Sequence, residues 1–445
     1  MKRTLLCIGL LLTMSLAQYA ALLMPLQTSG SDNFALNFFE KVVEARGDSS
    51  VIVSPLGVSF VLGMLDGGAD GQTAQEINHA LGAADADALT QWHHQLMATL
   101  PTLDDKTELG IANAIVLNSA KGFTLLPTYA AQMERLYEAL ITSRDFGNPS
   151  TLDYINGWGK EQTKGMIPRV LKQLSPNMVS LLMNALYFKG VWSKTFDPEL
   201  TARDYFLTPD GKYEEVAMMH ANGAYPYAAN DIYRTVRLDY GNGSYSMYLM
   251  LPDWGHTIRE VLAQMKETDW MSAPVMTDDV NLAIPQFTSE SSLDLTDVLK
   301  ALGMPTMFDP GQADFSHMAD LSDLDGNLFI SLFKQVARIE VDENGTKAAA
   351  VTVAGVETTA IPNNGFIANR PFLYAIVENT TSTICFMGQF TGKGPDASAR
   401  PIGSGIPSPT TDTQPESLYD LMGRRLTAMP KGGIYIKDGK KTRKP

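Results

Sequence analysis

From Asp32 to about Phe390 the apolar residues follow two interleaved rhythms, one with the period of a helix and one that alternates as in a strand. "DNFALNFFEKVVEA" places Phe34, Leu36, Phe38, Val42 and Val43 behind Asp32, whose carboxylate can accept an orphan backbone N–H, so the spacing predicts a capped helix. "SYSMYLMLP" and "VNLAIPQF" predict strands ended or edged by proline, which cannot donate to a ladder. "GNGSYS" lies between strand-like runs and reads as a hairpin turn, not a phosphate-cradling loop. No repeat or low-complexity segment interrupts the pattern, which predicts one large α+β unit.

Outside that unit the pattern changes twice. Met1-Lys2-Arg3 precedes an apolar run from Thr4 to about Leu16 and a small-residue site at Ser15-Leu16-Ala17. A basic start, a short apolar core and a small-residue site predict a signal peptide over 1–17; apolar character resumes at Ala20 to Met24, so a single membrane anchor is the competing reading. Beyond residue 393, "GPDASARPIGSGIPSPTTDTQPES" loses all apolar periodicity and reads as a linker over 394–416. The tail, 417–445, has two short apolar stretches and, from Leu418 on, eight Lys or Arg against two Asp.

Charge and composition narrow the function. The 445 residues are 44% hydrophobic, enough for a large core, and a net charge of −14 argues against nucleic acid or an anionic membrane as partner. Cleavage after Ala17 leaves Cys385 as the single cysteine, so no internal disulfide can form; its alternating surroundings, "STICFMGQF", mark it as a small core hydrophobe. The six histidines show no metal-ligand spacing, and His93-His94 in "QWHHQL" reads as a solvated helix face. No nucleophile elbow, Walker loop or dinucleotide fingerprint occurs, so the sequence predicts neither catalysis nor a cofactor or metal.

One stretch stands apart: "DENGTKAAAVTVAGVETTAIP", residues 342–362, a strand-like run light in side-chain bulk. By strand parity Thr346, Ala348, Ala350, Thr352, Ala354, Val356 and Thr358 share one face, uncharged and nowhere larger than valine; Lys347, Ala349, Val351, Val353, Gly355 and Glu357 share the other. The small face suits a strand that must slide between neighbours already in place.

Glu343-Asn344-Gly345-Thr346 and the run Ala348-Ala349-Ala350-Val351-Thr352 resemble the hinge and reactive-centre loop of a serpin, a loop-inserting serine protease inhibitor. "VIVSPLGVSFVLGMLDGGADGQTAQEI", "MNALYFKGVWSKTFDPELT", "NLFISLFKQVARIEVDENGT" and "FIANRPFLYAIVENTTSTICFMGQF" resemble further family motifs in family order, covering residues 31–393. The resemblance implies an α+β serpin fold: several helices around a large central mixed β-sheet plus smaller sheets, with an exposed reactive loop. It also implies suicide-substrate trapping, in which a protease acylated by the loop is carried away as the cut loop adds a strand to the sheet; serpin loop insertion is itself a familiar case of strand addition.

Residue by residue, the family pattern makes Glu343, Gly345, Thr346, Ala348, Ala349, Ala350 and Thr352 the hinge. It places the reactive bond at Thr359-Ala360, or one residue later at Ala360-Ile361. Trp192 matches an aromatic where the loop enters the sheet, and Ser54 and Asn184 match polar positions beneath the sheet's centre. Gln335 stands where a histidine is common, and Gly57 where a second serine is usual. A small residue at the reactive bond implies elastase-like or subtilisin-like serine proteases as partners, with papain-like cysteine proteases an alternative target, acting on a monomer. The tail, with "MGRRL" and "GGIYIK", resembles sorting segments of proteins secreted by Bacteroidetes, implying a bacterial source and a secreted, extracellular or cell-surface location, with the periplasm an alternative. The competing function is a non-inhibitory serpin-fold binding or adhesion protein at the cell surface, in which the loop is only a surface element.

Overall fold

A computed structural model of the chain describes residues 34–83, 86–321, 327–346 and 364–392, with short strand segments at 397–398, 418–419, 425–426, 434–437 and 440–443. Two compact units emerge, residues 1–402 and 403–445. The first contains, among the described residues, eight helices packed on two large sheets.

One sheet has nine strands. Its path runs through Val51–Val53, Thr383–Phe390, Phe372–Glu378, Tyr245–Pro252, Tyr233–Tyr240, Tyr213–Ala229, Val275–Pro285 and Asn364–Ile367, with Ala202–Leu207 paired on Tyr213–Ala229. The runs Tyr245–Pro252, Phe372–Glu378 and Thr383–Phe390 are buried along their whole length, as expected of strands covered on both faces. The predicted hairpin is present: residues 241–244 turn between Tyr233–Tyr240 and Tyr245–Pro252.

The other sheet has seven strands in the order Ala397–Ser398, Phe287–Asp294, Phe333–Asp342, Gly345–Thr346, Ser180–Val191, Thr107–Asn118 and Leu140–Arg144. It is mixed, since Phe333–Asp342 pairs parallel with Ser180–Val191 while Thr107–Asn118 pairs with it antiparallel. Ala397–Ser398, from the stretch read as linker, lies antiparallel against Thr288 and Ser289 at the edge.

The helix Pro55–Asp66 lies between the sheets with every residue buried. Ser54 caps it by accepting the Gly57 N–H at 3.0 Å, and Pro55 at its first position gives up a donor that would be orphaned anyway. A helix apolar on all sides has no solvent face, so its place is internal. The predicted Phe34–Arg46 helix is present and buries Phe34, Leu36, Phe38, Phe39, Val42 and Val43; Asp32 lies outside the described residues.

The histidine reading needs correction. His93 is fully buried, its ring nitrogens 3.2 Å from the Tyr137 and Ser59 hydroxyls, and desolvation lowers its pKa from the usual 6.5 to about 3. His94 alone faces solvent. Leu89, Trp92, His93 and Leu96 form the buried stripe of the Ala86–Thr99 helix, so His93 belongs to the core-facing side.

The 403–445 unit forms a four-stranded sheet in the order Arg425–Leu426, Leu418–Tyr419, Ile434–Lys437 and Lys440–Arg443. Among the described helices none is long and apolar enough to cross a membrane.

Candidate functional site

The strand Phe333–Asp342 ends in a tight turn at Glu343 and Asn344, and the chain re-enters the sheet at once. Gly345 and Thr346 lie between two strands that are directly paired lower down: Thr346 faces Val341 on one side and Gly190 on the other, and Gly345 faces Asp342 and Val191. Below this wedge the sheet is closed, with Phe333–Arg338 in parallel register with Leu182–Tyr187.

Gly345 is required by geometry. Its φ is +143°, and a Cβ there would sit 2.1 Å from the Gly190 carbonyl oxygen. Thr346 is fully buried, its hydroxyl 2.8 Å from that of Tyr240, itself buried and with its phenol pKa pushed up by desolvation. Trp192 stacks on Tyr240 with centroids 4.3 Å apart and donates its indole N–H to the Asp342 carbonyl at 2.9 Å. Its backbone N–H donates to the Asn344 carbonyl, and that of Phe196 to the Glu343 carbonyl. The Glu343 carboxylate accepts from Thr201 and from Gln286, each at 2.6 Å. The turn is therefore held on every side before any further residue of the loop is considered.

Beneath the closed part lies a buried polar chain. Gln335 accepts the Ser54 N–H at 3.0 Å and donates to the Ser54 carbonyl and to Asn184 Oδ1, each at 2.9 Å. Asn184 donates to Asn113 Oδ1 at 2.8 Å, while Ser54 Oγ donates to the Cys385 carbonyl at 2.6 Å. The network expected at Ser54, Asn184 and Gln335 is thus a single connected unit, with glutamine both donating and accepting. Gly57 explains itself: a Cβ there would lie 2.2 Å from Asn184 Oδ1, so a serine, as the resemblance led one to expect, has no room.

Sequence reasoning missed Asn113, Tyr240, Thr201 and Gln286. An asparagine in the middle of the apolar run "IANAIVL" was the available signal for Asn113, since a polar side chain in a buried strand needs a partner. Cys385 sits in the core as expected, burial pushing its thiol pKa up. The described residues contain no cluster of three or more His, Cys, Asp or Glu placed to hold a metal ion.

Of the expected hinge, Glu343, Gly345 and Thr346 come together here, whereas Ala348, Ala349, Ala350 and Thr352 lie outside the described residues, as does the expected reactive bond at Thr359 and Ala360. The chain is described again at Asn364–Ile367, parallel to Val275–Pro285 in the nine-stranded sheet. The undescribed stretch 347–363 thus joins one sheet to the other.

A family model described as Serpin (serine protease inhibitor) matches residues 29–392. Glia-derived nexin of Rattus norvegicus is 32% identical over 380 residues, covering 82% of this chain and 92% of its own. Leukocyte elastase inhibitor of Homo sapiens is 31% identical over 381 residues, covering 82% and 98%. Among solved structures, a thermophilic serpin, tengpin, in the native state superposes with a TM-score of 0.75 at 29% identity, covering 82% of this chain and 93% of that one.

Proposed function

The chain belongs to the serpin family, and from that premise we propose that it traps serine endopeptidases covalently, its cleaved loop inserting between the strands Phe333–Asp342 and Ser180–Val191. The observation that carries the reading is the Gly345–Thr346 wedge: the first residues of the new strand are already in position, pointing down the line along which the rest would follow.

A strand of residues 346 to 359 spans roughly 45 Å at about 3.3 Å per residue, far enough to carry an acylated protease well away from where it attacked. Opening the sheet costs the parallel pairing from Phe333 to Arg338 and the bond from Gln335 to Asn184. Insertion returns a ladder of hydrogen bonds on both sides and buries the small face from Thr346 to Thr358.

We place the reactive bond at Thr359-Ala360, or at Ala360-Ile361. Either offers a small side chain to the primary pocket, so elastase-like and subtilisin-like enzymes are the proposed targets, in keeping with the name of the human relative. We further propose export by the amino-terminal apolar segment and display through the tail at a bacterial surface.

The test is to mix the full chain with neutrophil elastase and with subtilisin and to run denaturing gels. A stable band at the summed mass, cut after Thr359 or Ala360, is expected. Thr346→Arg should abolish the band and leave plain cleavage, because an unpaired charge cannot stay buried between the two strands and the inserting strand loses its start. Clean cleavage of the parent by both proteases, with no rise in melting temperature afterwards, would mean the loop does not insert and would sink the reading.

A further inference from the structure

The chain contains five Asn-Gly pairs, at Asn156, Asn222, Asn242, Asn344 and Asn364. Asparagine before glycine is the sequence most open to cyclisation, because the following amide nitrogen can reach the side-chain carbonyl carbon with no neighbouring Cβ in the way. What protects such a pair is structure: side-chain hydrogen bonds, or a backbone held in a helix or ladder.

Four of the five have that protection. Asn156 lies in the helix Pro149–Gln162, accepts from the Val170 and Leu171 N–H groups and donates to the Leu171 carbonyl. Asn242 donates to the Leu103 carbonyl and accepts the Ser244 N–H. Asn222 and Asn364 are paired within strands, opposite Asn281 and Val280. Asn344 differs in its side chain alone, since its backbone is bonded and Gly345 is paired in the ladder. It sits in the turn before the wedge, half-exposed, and its bonds are made by its backbone: its N–H donates to Asp342 Oδ1 and its carbonyl accepts from Trp192, while no described group bonds its side-chain amide.

We propose that Asn344 is a deamidation site, and that its conversion disarms the hinge, an age-dependent loss of inhibitory function; the second half rests on the trapping mechanism proposed above. The Gly345 nitrogen attacks the Asn344 side-chain carbonyl carbon, a five-membered imide closes, and the side-chain nitrogen leaves as ammonia with the proton from Gly345. Water then opens the ring at either carbonyl. One opening gives aspartate; the other gives isoaspartate, in which the main chain runs through the former side chain and is one methylene longer.

Both products damage the turn. Aspartate adds a carboxylate beside Asp342 and Glu343, where Glu343 is already committed to Thr201 and Gln286. Isoaspartate lengthens a turn that joins paired residues Asp342 and Gly345, and so shifts Gly345 from a position with no room for even a Cβ against Gly190. With that register lost, Thr346 no longer faces Tyr240, and the strand has no correct start.

The test ages the full chain at mildly alkaline pH and 37 °C, beside Asn344→Gln, which keeps the amide but must close a slower six-membered ring. Two quantities are followed: isoaspartate at each Asn-Gly pair, by peptide mapping with isoaspartyl methyltransferase labelling, and the fraction of subtilisin trapped. The expected result is isoaspartate accumulating at 344 ahead of the other four pairs, trapping falling in proportion, and Asn344→Gln holding both steady. Absence of modification at 344, or modification no faster than at Asn242, would overturn the site. Modification at 344 with trapping undiminished would overturn the disarming step. Fresh protein that traps nothing would count against the trapping mechanism alone, because the mapping reads the site without it.

Discussion

The two large sheets share a chain and a core but are finished differently. In the nine-stranded sheet, Phe206, Phe372 and Phe390 pack together, and Phe372 and Phe390 also meet Phe287 from the other sheet, with ring centroids between 5.0 and 6.5 Å apart; Phe372–Glu378 and Thr383–Phe390 are buried end to end. In the seven-stranded sheet the central strands meet over Gln335, Asn184 and Asn113, and one end of their seam is parted by Gly345 and Thr346. Aromatic packing is non-directional and lost only by making a cavity; a hydrogen-bonded chain of amides can be exchanged for another set of partners. The contrast separates a sheet fixed by packed rings from one whose seam, in the trapping mechanism proposed above, would part along a defined line.

The sharpest way to break that contrast is to attack the settled side. Phe390→Ala removes a ring that touches three others and should cost about 3–5 kcal/mol in chemical denaturation. A loss comparable to that of an exposed surface residue would mean the aromatic cluster is not what fixes this sheet.

On the side of the seam, Gln335→Leu leaves the Ser54 N–H and the Asn184 side-chain carbonyl oxygen without their partner, while the Ser54 carbonyl keeps the Val58 N–H, a loss of about 1–3 kcal/mol. The cost falls on the closed sheet, so the variant should also lose protease-trapping capacity faster than the parent on standing at 37 °C. Equal decay of the two would show that the amide chain does not hold the seam.

A further effect lies in neither sheet but where the helix Ala86–Thr99 packs on its neighbouring helices. His93 is buried neutral with its pKa lowered to about 3, so below the ordinary value of 6.5 the unfolded chain takes up a proton that the folded chain refuses. Stability should therefore fall as pH drops from about 6.5 towards about 3, with a slope that steepens to about 1.4 kcal/mol per pH unit once the unfolded chain's imidazole is protonated. His93→Gln, whose amide can still meet both hydroxyls, should flatten that slope, and parallel profiles for parent and variant would refute the assignment.

How far the chain announced all this depends on how local each signal is. The α+β architecture, the 241–244 hairpin and the Phe34–Arg46 helix were legible because periodicity and turn chemistry act over a few residues. The turn at Glu343 to Thr346 stood out for the same reason, since a glycine followed by a small uncharged face is a local pattern; the hinge role is a proposal, and the rest of that face lies outside the described residues. Asn113 could be read only as a buried polar group in need of a partner, and Tyr240 not at all, because their partners Asn184 and Thr346 are 71 and 106 positions away. His93 was misread although Leu89, Trp92 and Leu96 mark the buried stripe; adjacency shows that His93 and His94 diverge, and only the wider spacing shows which one turns inward.

The finest test falls on the wedge itself. Tyr240→Phe keeps the stack on Trp192 and removes one hydroxyl, leaving that of Thr346 buried without its partner, a loss of about 0.5–1.5 kcal/mol. Because Tyr240 belongs to the nine-stranded sheet and Thr346 to the seven-stranded one, this bond ties the movable strand to the fixed side. Its loss should speed hydrogen exchange at the Thr346 amide by up to about tenfold while exchange in Phe372–Glu378 stays slow, since only the free energy of local opening has changed. If both regions quickened together, the variant would have loosened the whole fold, and the hydroxyl pair would be ordinary core packing. If Thr346 alone responded, a single bond would set how firmly the first inserted residue is held against the sheet that does not move.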